Sequence, residues 1–131
     1  MKIFGIGTDI VNIKRIEQSL KKHKITFKNK IFSKKEISYC EKRKNPGAFY
    51  AKRFAAKEAF TKALGTGIRK GVNLKNIEIT NNVHGKPSIY LKGNLANYLK
   101  KKIKCKKYDI HLSLSDDKPW AQATVIISYN K

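Results

Sequence analysis

The chain has 131 residues and a formal charge of +21, with 30 basic residues against nine acidic ones. That length suits one domain with a modest core, and no apolar stretch approaches the roughly 20 residues that a membrane span needs. The charge favours polyanionic partners, whether nucleic acid, anionic membranes, acidic proteins or phosphorylated small molecules, without choosing among them.

In chain order, residues 2–8 are predicted as a strand. Ile3, Gly5, Gly7 and Asp9 share one face, with Phe4, Ile6, Thr8 and Ile10 on the other. The apolar start is too short for a signal peptide and lacks a small-residue cleavage site, so a cytosolic protein is expected. Asn12 can cap a helix whose stripe is Ile13, Ile16 and Leu20. The Lys-rich stretch from Lys21 to Lys35 is interrupted by Ile25, Phe27, Ile31 and Phe32, which points to an ordered, partly buried segment. Ser33 precedes a short helix, with Glu36 at the capping-box position.

Asn45-Pro46-Gly47 opens the strongest helix, Ala48 to Leu64, and Gly65-Thr66-Gly67 closes it. Short strands follow at 76–80 and 87–91, around the turns Asn81-Asn82 and His84-Gly85-Lys86-Pro87. A helix is expected over 94–103. Strands at 108–115 and 120–129 are joined near Asp116-Asp117-Lys118-Pro119. The last strand carries apolar residues on both faces and reads as a buried central strand. Strand, helices, then mostly strands make an α+β fold in one domain, 1–131. Cys40 and Cys105 have no metal-ligand spacing and read as free thiols.

With only nine acids, their positions carry information. Most fall in Lys-rich stretches that read as surface. Asp9 and Glu58 do not: Asp9 ends a Gly-rich strand, and Glu58 is flanked by small or apolar residues. Two such carboxylates suit a hard cation, with Mg²⁺ completing its ligands from water and phosphate oxygens. Glu58 and Lys62 share a helix face one turn apart, so one can hold metal and the other phosphate. A plain i,i+4 surface pair, worth only ~0.3–0.5 kcal/mol, reads the same spacing. His111, Ser113 and Ser115 share one strand face. Gly5-Ile6-Gly7 lacks the third glycine of a dinucleotide loop, and no P-loop motif occurs.

Four segments together resemble one family. These are Gly5-Ile6-Gly7-Thr8-Asp9-Ile10-Val11 with Arg15-Ile16; the run from Arg53-Phe54-Ala55-Ala56-Lys57-Glu58 to Gly67; His84-Gly85-Lys86-Pro87; and His111-Leu112-Ser113-Leu114-Ser115-Asp116. In order, spacing and length the chain is similar to the short, bacterial-type 4′-phosphopantetheinyl transferases, the holo-acyl-carrier-protein synthases. The resemblance implies their fold, a small, mostly antiparallel sheet with a long central helix and further packed helices. It also implies their activity, transfer of 4′-phosphopantetheine from coenzyme A to a serine of acyl carrier protein in fatty acid biosynthesis.

By position, the resemblance makes Asp9 and Glu58 the Mg²⁺ ligands. Lys62 contacts the coenzyme A phosphates, and His111 lies near the bound nucleotide. Arg53 serves the nucleotide phosphates across a subunit boundary, and Gly85, Lys86 and Pro87 line the coenzyme A cleft. Lys14 and Arg15 dock the acidic carrier. Glu58, or a water it orients, takes the serine proton. The family's short members form homotrimers with active sites between subunits, so a trimer is expected. Some members carry a second histidine where this chain has Asp116. Two other readings use the same charge or fold: a basic nucleic-acid-binding protein, and an inactive scaffold. Under the synthase reading, nucleic acid binds only nonspecifically.

Overall fold

The computed structural model describes residues 1–66 and 72–130. The chain runs β1 (Lys2–Asn12), α1 (Ile13–Ile31), α2 (Lys34–Glu41), α3 (Pro46–Leu64), a 3₁₀ turn (Leu74–Asn76), β2 (Ile77–Asn81), β3 (Pro87–Leu91), α4 (Leu95–Ile103), β4 (Tyr108–Asp117) and β5 (Trp120–Tyr129). Five strands form two antiparallel sheets, β1-β5-β4 and β2-β3, so the α+β expectation holds. No helix among the described residues is long and apolar enough to cross a membrane.

The predicted caps are in place. The Asn12 side chain accepts from Lys14 N, and Ser33 with Glu36 closes a full capping box on α2. Pro46 occupies the first turn of α3, where its missing N–H costs nothing. Gly65 ends α3 at φ +89°, a left-handed conformation that glycine adopts without a Cβ clash. Gly67, the other glycine of that predicted stop, lies outside the described residues. The Lys-rich stretch is helical up to Ile31, with non-helical backbone at Lys24. Beyond the kink Phe32 is fully buried, and it meets Tyr50 edge-on at 4.9 Å between ring centroids.

Helix α3 lies at the centre. Ala55, Ala56, Ala59, Phe60 and Ala63 pack with Ala123, Val125 and Ile127 of β5 and with Ile77, Ile79, Leu95 and Leu99 of the flanking elements. A second cluster joins Ile13, Ile16, Phe32, Tyr50 and Ala51. The Gly-x-Gly of β1 has a steric reason. A Cβ at Gly5 would overlap the Ala63 carbonyl, and one at Gly7 the Ala59 carbonyl. Only glycine lets β1 and α3 approach this closely.

Two expectations need correction. Strand β5 is central, but it is fully buried on one face only, and on the other only Ser128, near its end, is buried. Ala121, Ala123, Val125 and Ile127 are buried, while Gln122, Thr124 and Ile126 are half-exposed. On that open face β1 leaves Ile6 63% and Ile10 60% exposed, and no element among the described residues covers them. The expectation that acids other than Asp9 and Glu58 lie at the surface also fails for Glu36 and Glu78, which are 1% and 3% exposed. Their charges have local partners that sequence spacing does not display: Lys57 for Glu36 and Lys92 for Glu78.

Candidate active site

Asp9 leaves β1 on the face that carries Gly5 and Gly7, so its carboxylate points along α3. There it meets Lys62, whose Nζ donates to Asp9 Oδ1 at 3.0 Å and to the Thr8 carbonyl at 3.0 Å. The Lys62 side chain is 53% exposed and that of Asp9 15%, so the ammonium is the more solvent-accessible partner of the pair. Glu58, one turn before Lys62, is half-buried. Burial pushes its carboxyl above the usual carboxylate range, the Asp9 charge pushes it further, and Lys62 opposes both. Among the described residues no donor meets the Glu58 carboxylate oxygens. The three residues singled out from sequence therefore come together.

No group of three or more His, Cys, Asp and Glu side chains is placed to hold a metal among the described residues. The donor set on offer is two carboxylates with like charge in a half-dry cleft. A cation between them would relieve their repulsion, and hard oxygen donors with open positions suit Mg²⁺. Softer metals that select imidazole or thiolate do not fit this set.

A cavity of about 440 Å³ has walls that include Ile10, Arg15, Ile16, Phe27, Phe54 and Trp120. Its walls come from the strand and helix segments that also carry Asp9 and Glu58, through Ile10 and Val11 of β1 and Phe54 of α3, but the carboxylates themselves do not line it. Lys14 and Arg15 are both exposed on the first turn of α1; Arg15 lines this cavity, while Lys14 lines a separate surface pocket with Glu17 and Asn45.

The remaining predicted residues lie elsewhere on the chain. Arg53 is 2% exposed and sits about 140° around α3 from Glu58. Its guanidinium carbon lies 4.2 Å from the Tyr39 ring centre, its Nη2 donates to Asn81 Oδ1, and its Nε has no partner among the described residues. Arg53 lines a second cavity, of about 170 Å³, with Gly85 and Pro87. Gly85 takes φ +83° in the β2–β3 turn, where the Lys86 N–H donates to Asn82 Oδ1 at 2.9 Å and the Lys86 side chain is exposed. His111 lies on the open face of the sheet, opposite to Asp9, with Nε2 3.1 Å from Ser128 Oγ. One chain therefore holds the candidate residues in two separate clusters: Asp9, Glu58 and Lys62 in one, and Arg53 with the Gly85–Pro87 turn in the other.

Sequence reasoning missed Lys57. Its ammonium is fully buried and donates to Glu36 Oε1 at 2.8 Å, to the Leu74 carbonyl at 2.8 Å and to the Ile77 carbonyl at 2.6 Å. Glu36 in turn accepts from Ser33 N and Ile79 N. Burial pulls the Lys57 ammonium below its usual range, and Glu36 opposes that. The legible signal was the capping-box glutamate: both of its oxygens are in use, one on the cap and Lys57, the other on β2.

The chain is similar to known proteins over nearly its whole length. A family model for the 4′-phosphopantetheinyl transferase superfamily matches residues 5–125. The chain is 45% identical over 127 residues to the holo-[acyl-carrier-protein] synthase of Pelagibacter ubique, covering 97% of this chain and 98% of that one. Its fold matches the synthase of Neisseria meningitidis with a TM-score of 0.87 and 39% identity, over 96% of this chain and 98% of that one. The Bacillus anthracis synthase in complex with CoA (3′,5′-ADP) matches with a TM-score of 0.81 and 34% identity, over 99% of this chain and 100% of that one. Glycines that let β1 reach α3, and the acidic and basic side chains this contact brings together, thus sit inside a likeness that spans nearly the whole sequence, and the chain belongs to the holo-acyl-carrier-protein synthases of the 4′-phosphopantetheinyl transferase superfamily.

Proposed function

We infer that the chain transfers the 4′-phosphopantetheine group of coenzyme A to a serine of apo-acyl carrier protein, releasing 3′,5′-ADP, in fatty acid biosynthesis. The observation that carries the reading is the Asp9, Glu58 and Lys62 cluster, where β1 meets α3. Asp9 and Glu58 would hold a Mg²⁺ ion, which when bound supplies charge neutralisation at the coenzyme A pyrophosphate.

The chain's own residues do the rest. Lys62 leaves Asp9 and meets phosphate oxygens, offsetting the charge that builds on the leaving 3′,5′-ADP. The serine hydroxyl attacks the phosphorus that carries pantetheine, and the bond from that phosphorus to the 3′,5′-ADP oxygen breaks. Glu58, or a water it orients, accepts the serine proton. Most of the rate gain comes from positioning. Lys14 and Arg15, both exposed on the first turn of α1, dock the acidic carrier, aided by the overall charge of +21.

The whole of 1–131 acts as one domain, and the active unit is a homotrimer with shared sites. The two clusters on different sides of α3 support the sharing, as does His111 on the sheet face opposite to Asp9. The open sheet face, with Ile6 and Ile10 exposed, offers apolar surface to a neighbour. In such a trimer Arg53, His111, Gly85, Lys86 and Pro87 of one subunit serve coenzyme A held at Asp9, Glu58 and Lys62 of the next. The free thiols Cys40 and Cys105 fit a cytoplasmic enzyme.

The test is intact-mass spectrometry of apo-acyl carrier protein incubated with this protein, coenzyme A and Mg²⁺, with and without EDTA. The expected result is a gain of one phosphopantetheine unit, lost with EDTA and with Asp9→Ala. No gain, while a known synthase modifies the same carrier, overturns the reading.

A further inference from the structure

The smaller cavity, about 170 Å³, is below the roughly 300–1,000 Å³ of sites that enclose a whole small ligand, so it takes one group of a ligand rather than all of it. The chemistry of that group follows from the charges. Arg53 places a guanidinium there, 2% exposed, with Nε unpartnered and no carboxylate paired to it among the described residues. A buried cation left without a counter-ion favours an anion. Lys52, the preceding residue, also lines the cavity. Its Nζ lies 3.1 Å from Asp116 Oδ1 and 4.2 Å from the centre of the Phe49 ring.

We propose that Lys52 is a second phosphate-binding cation of this cavity and that Asp116, by holding Lys52, sets how tightly a phosphate monoester binds. The inference rests on the reading that the cavity receives part of coenzyme A. The phosphate monoester of that molecule is the one on the ribose 3′ oxygen, and the pyrophosphate is assigned to Asp9, Glu58 and Lys62. The Lys52–Asp116 pair is partly exposed, with side-chain exposures of 18% and 35%, so solvent screens it and it opens readily. A phosphate dianion offers more charge and more acceptor oxygens than one carboxylate, and so wins Lys52 from Asp116. The aromatic face of Phe49 keeps the ammonium at the cavity while it changes partner. Asp116 thus stands in for the phosphate when none is bound and weakens its binding by competition.

The experiment is calorimetric titration of the full chain, with Mg²⁺ present, using 3′,5′-ADP and 5′-AMP as probes. The variants are Lys52→Gln, Lys52→Arg and Asp116→Asn, each checked by thermal unfolding. Lys52→Gln is expected to bind 3′,5′-ADP about tenfold more weakly and 5′-AMP as the wild type does, because only the first carries the 3′-phosphate. Asp116→Asn is expected to bind 3′,5′-ADP about threefold to tenfold more tightly, since the competing carboxylate is gone. Lys52→Arg keeps the charge and should restore binding lost in Lys52→Gln. A merely structural tie between α3 and β4 would instead make Asp116→Asn weaker and shift both nucleotides together, which overturns the proposal. Wild-type binding of 3′,5′-ADP with no change in either charge variant overturns the role of the pair alone. Failure of the wild type to bind 3′,5′-ADP overturns the reading of the cavity and the pair's role with it.

Discussion

Lys57 and Glu58 are neighbours on α3 and end in opposite surroundings. Lys57 is fully buried with all three of its donors satisfied, by Glu36 and two backbone carbonyls. Glu58 is half-buried, meets no donor among the described residues, and is held above the usual carboxylate range by burial and by Asp9. One step of about 100° along the helix separates a charge that fastens elements together from a charge left open to a ligand. Complete satisfaction makes Lys57 structural: it ties α3 to the start of α2, the 3₁₀ turn and β2. Incomplete satisfaction marks Glu58 as a candidate for chemistry, because its carboxylate gains most from a cation or a proton supplied from outside.

The sharpest way to break this contrast is to neutralise each residue in turn. Glu58→Gln should lower kcat/KM by about 10³–10⁴, as expected for loss of a proton acceptor and metal ligand, with the fold intact by circular dichroism. Lys57→Met should instead leave Glu36 buried without its counter-charge and cost about 3–5 kcal/mol in urea unfolding. Replacing both, as Lys57→Met with Glu36→Leu, should recover much of that loss. A Lys57→Met protein as stable as the wild type would show that the buried pair fastens nothing.

A third experiment asks whether the two clusters act together across different subunits. Glu58→Gln and Arg53→Gln proteins, each nearly inactive, are unfolded together and refolded as a mixture. If one subunit supplies Glu58 and the next Arg53, about a quarter of wild-type activity should return, since a quarter of the interfaces pair two intact halves. No recovery above the separate variants places both residues in one site on one chain.

The smallest expected effect concerns stability and pH. A carboxyl whose folded pKa is raised binds its proton more tightly in the folded state, so ionising it at neutral pH costs stability. In metal-free buffer at pH 7, Glu58→Gln should therefore melt slightly above the wild type. The advantage should fade as pH falls below the ordinary glutamate value of about 4.3, where Glu58 is protonated in both the folded and unfolded states. A variant that melts lower at pH 7 would mean that the Glu58 charge is stabilising after all.

Much of the fold was legible because its signals are local. Asn12, the Ser33 and Glu36 capping box, Pro46 and Gly65 each set a helix end through hydrogen bonds or backbone freedom within a few residues. Asp9, Glu58 and Lys62 could be singled out because acids are scarce in a chain of charge +21, and the matching motifs of the family placed them. Burial of Glu36 and Glu78 could not be read that way, since their partners Lys57 and Lys92 lie at unrelated positions in sequence. Nor could the one-sided burial of β5, because Ile126 reads as core until α3 is seen to cover only the opposite face. The sequence by itself determined the helices, the strands and which residue types could do the chemistry, because capping, periodicity and composition act over short range. Only the tertiary structure decided which charges are satisfied and which are left open, because a charge is satisfied by contacts that folding alone brings within hydrogen-bonding distance.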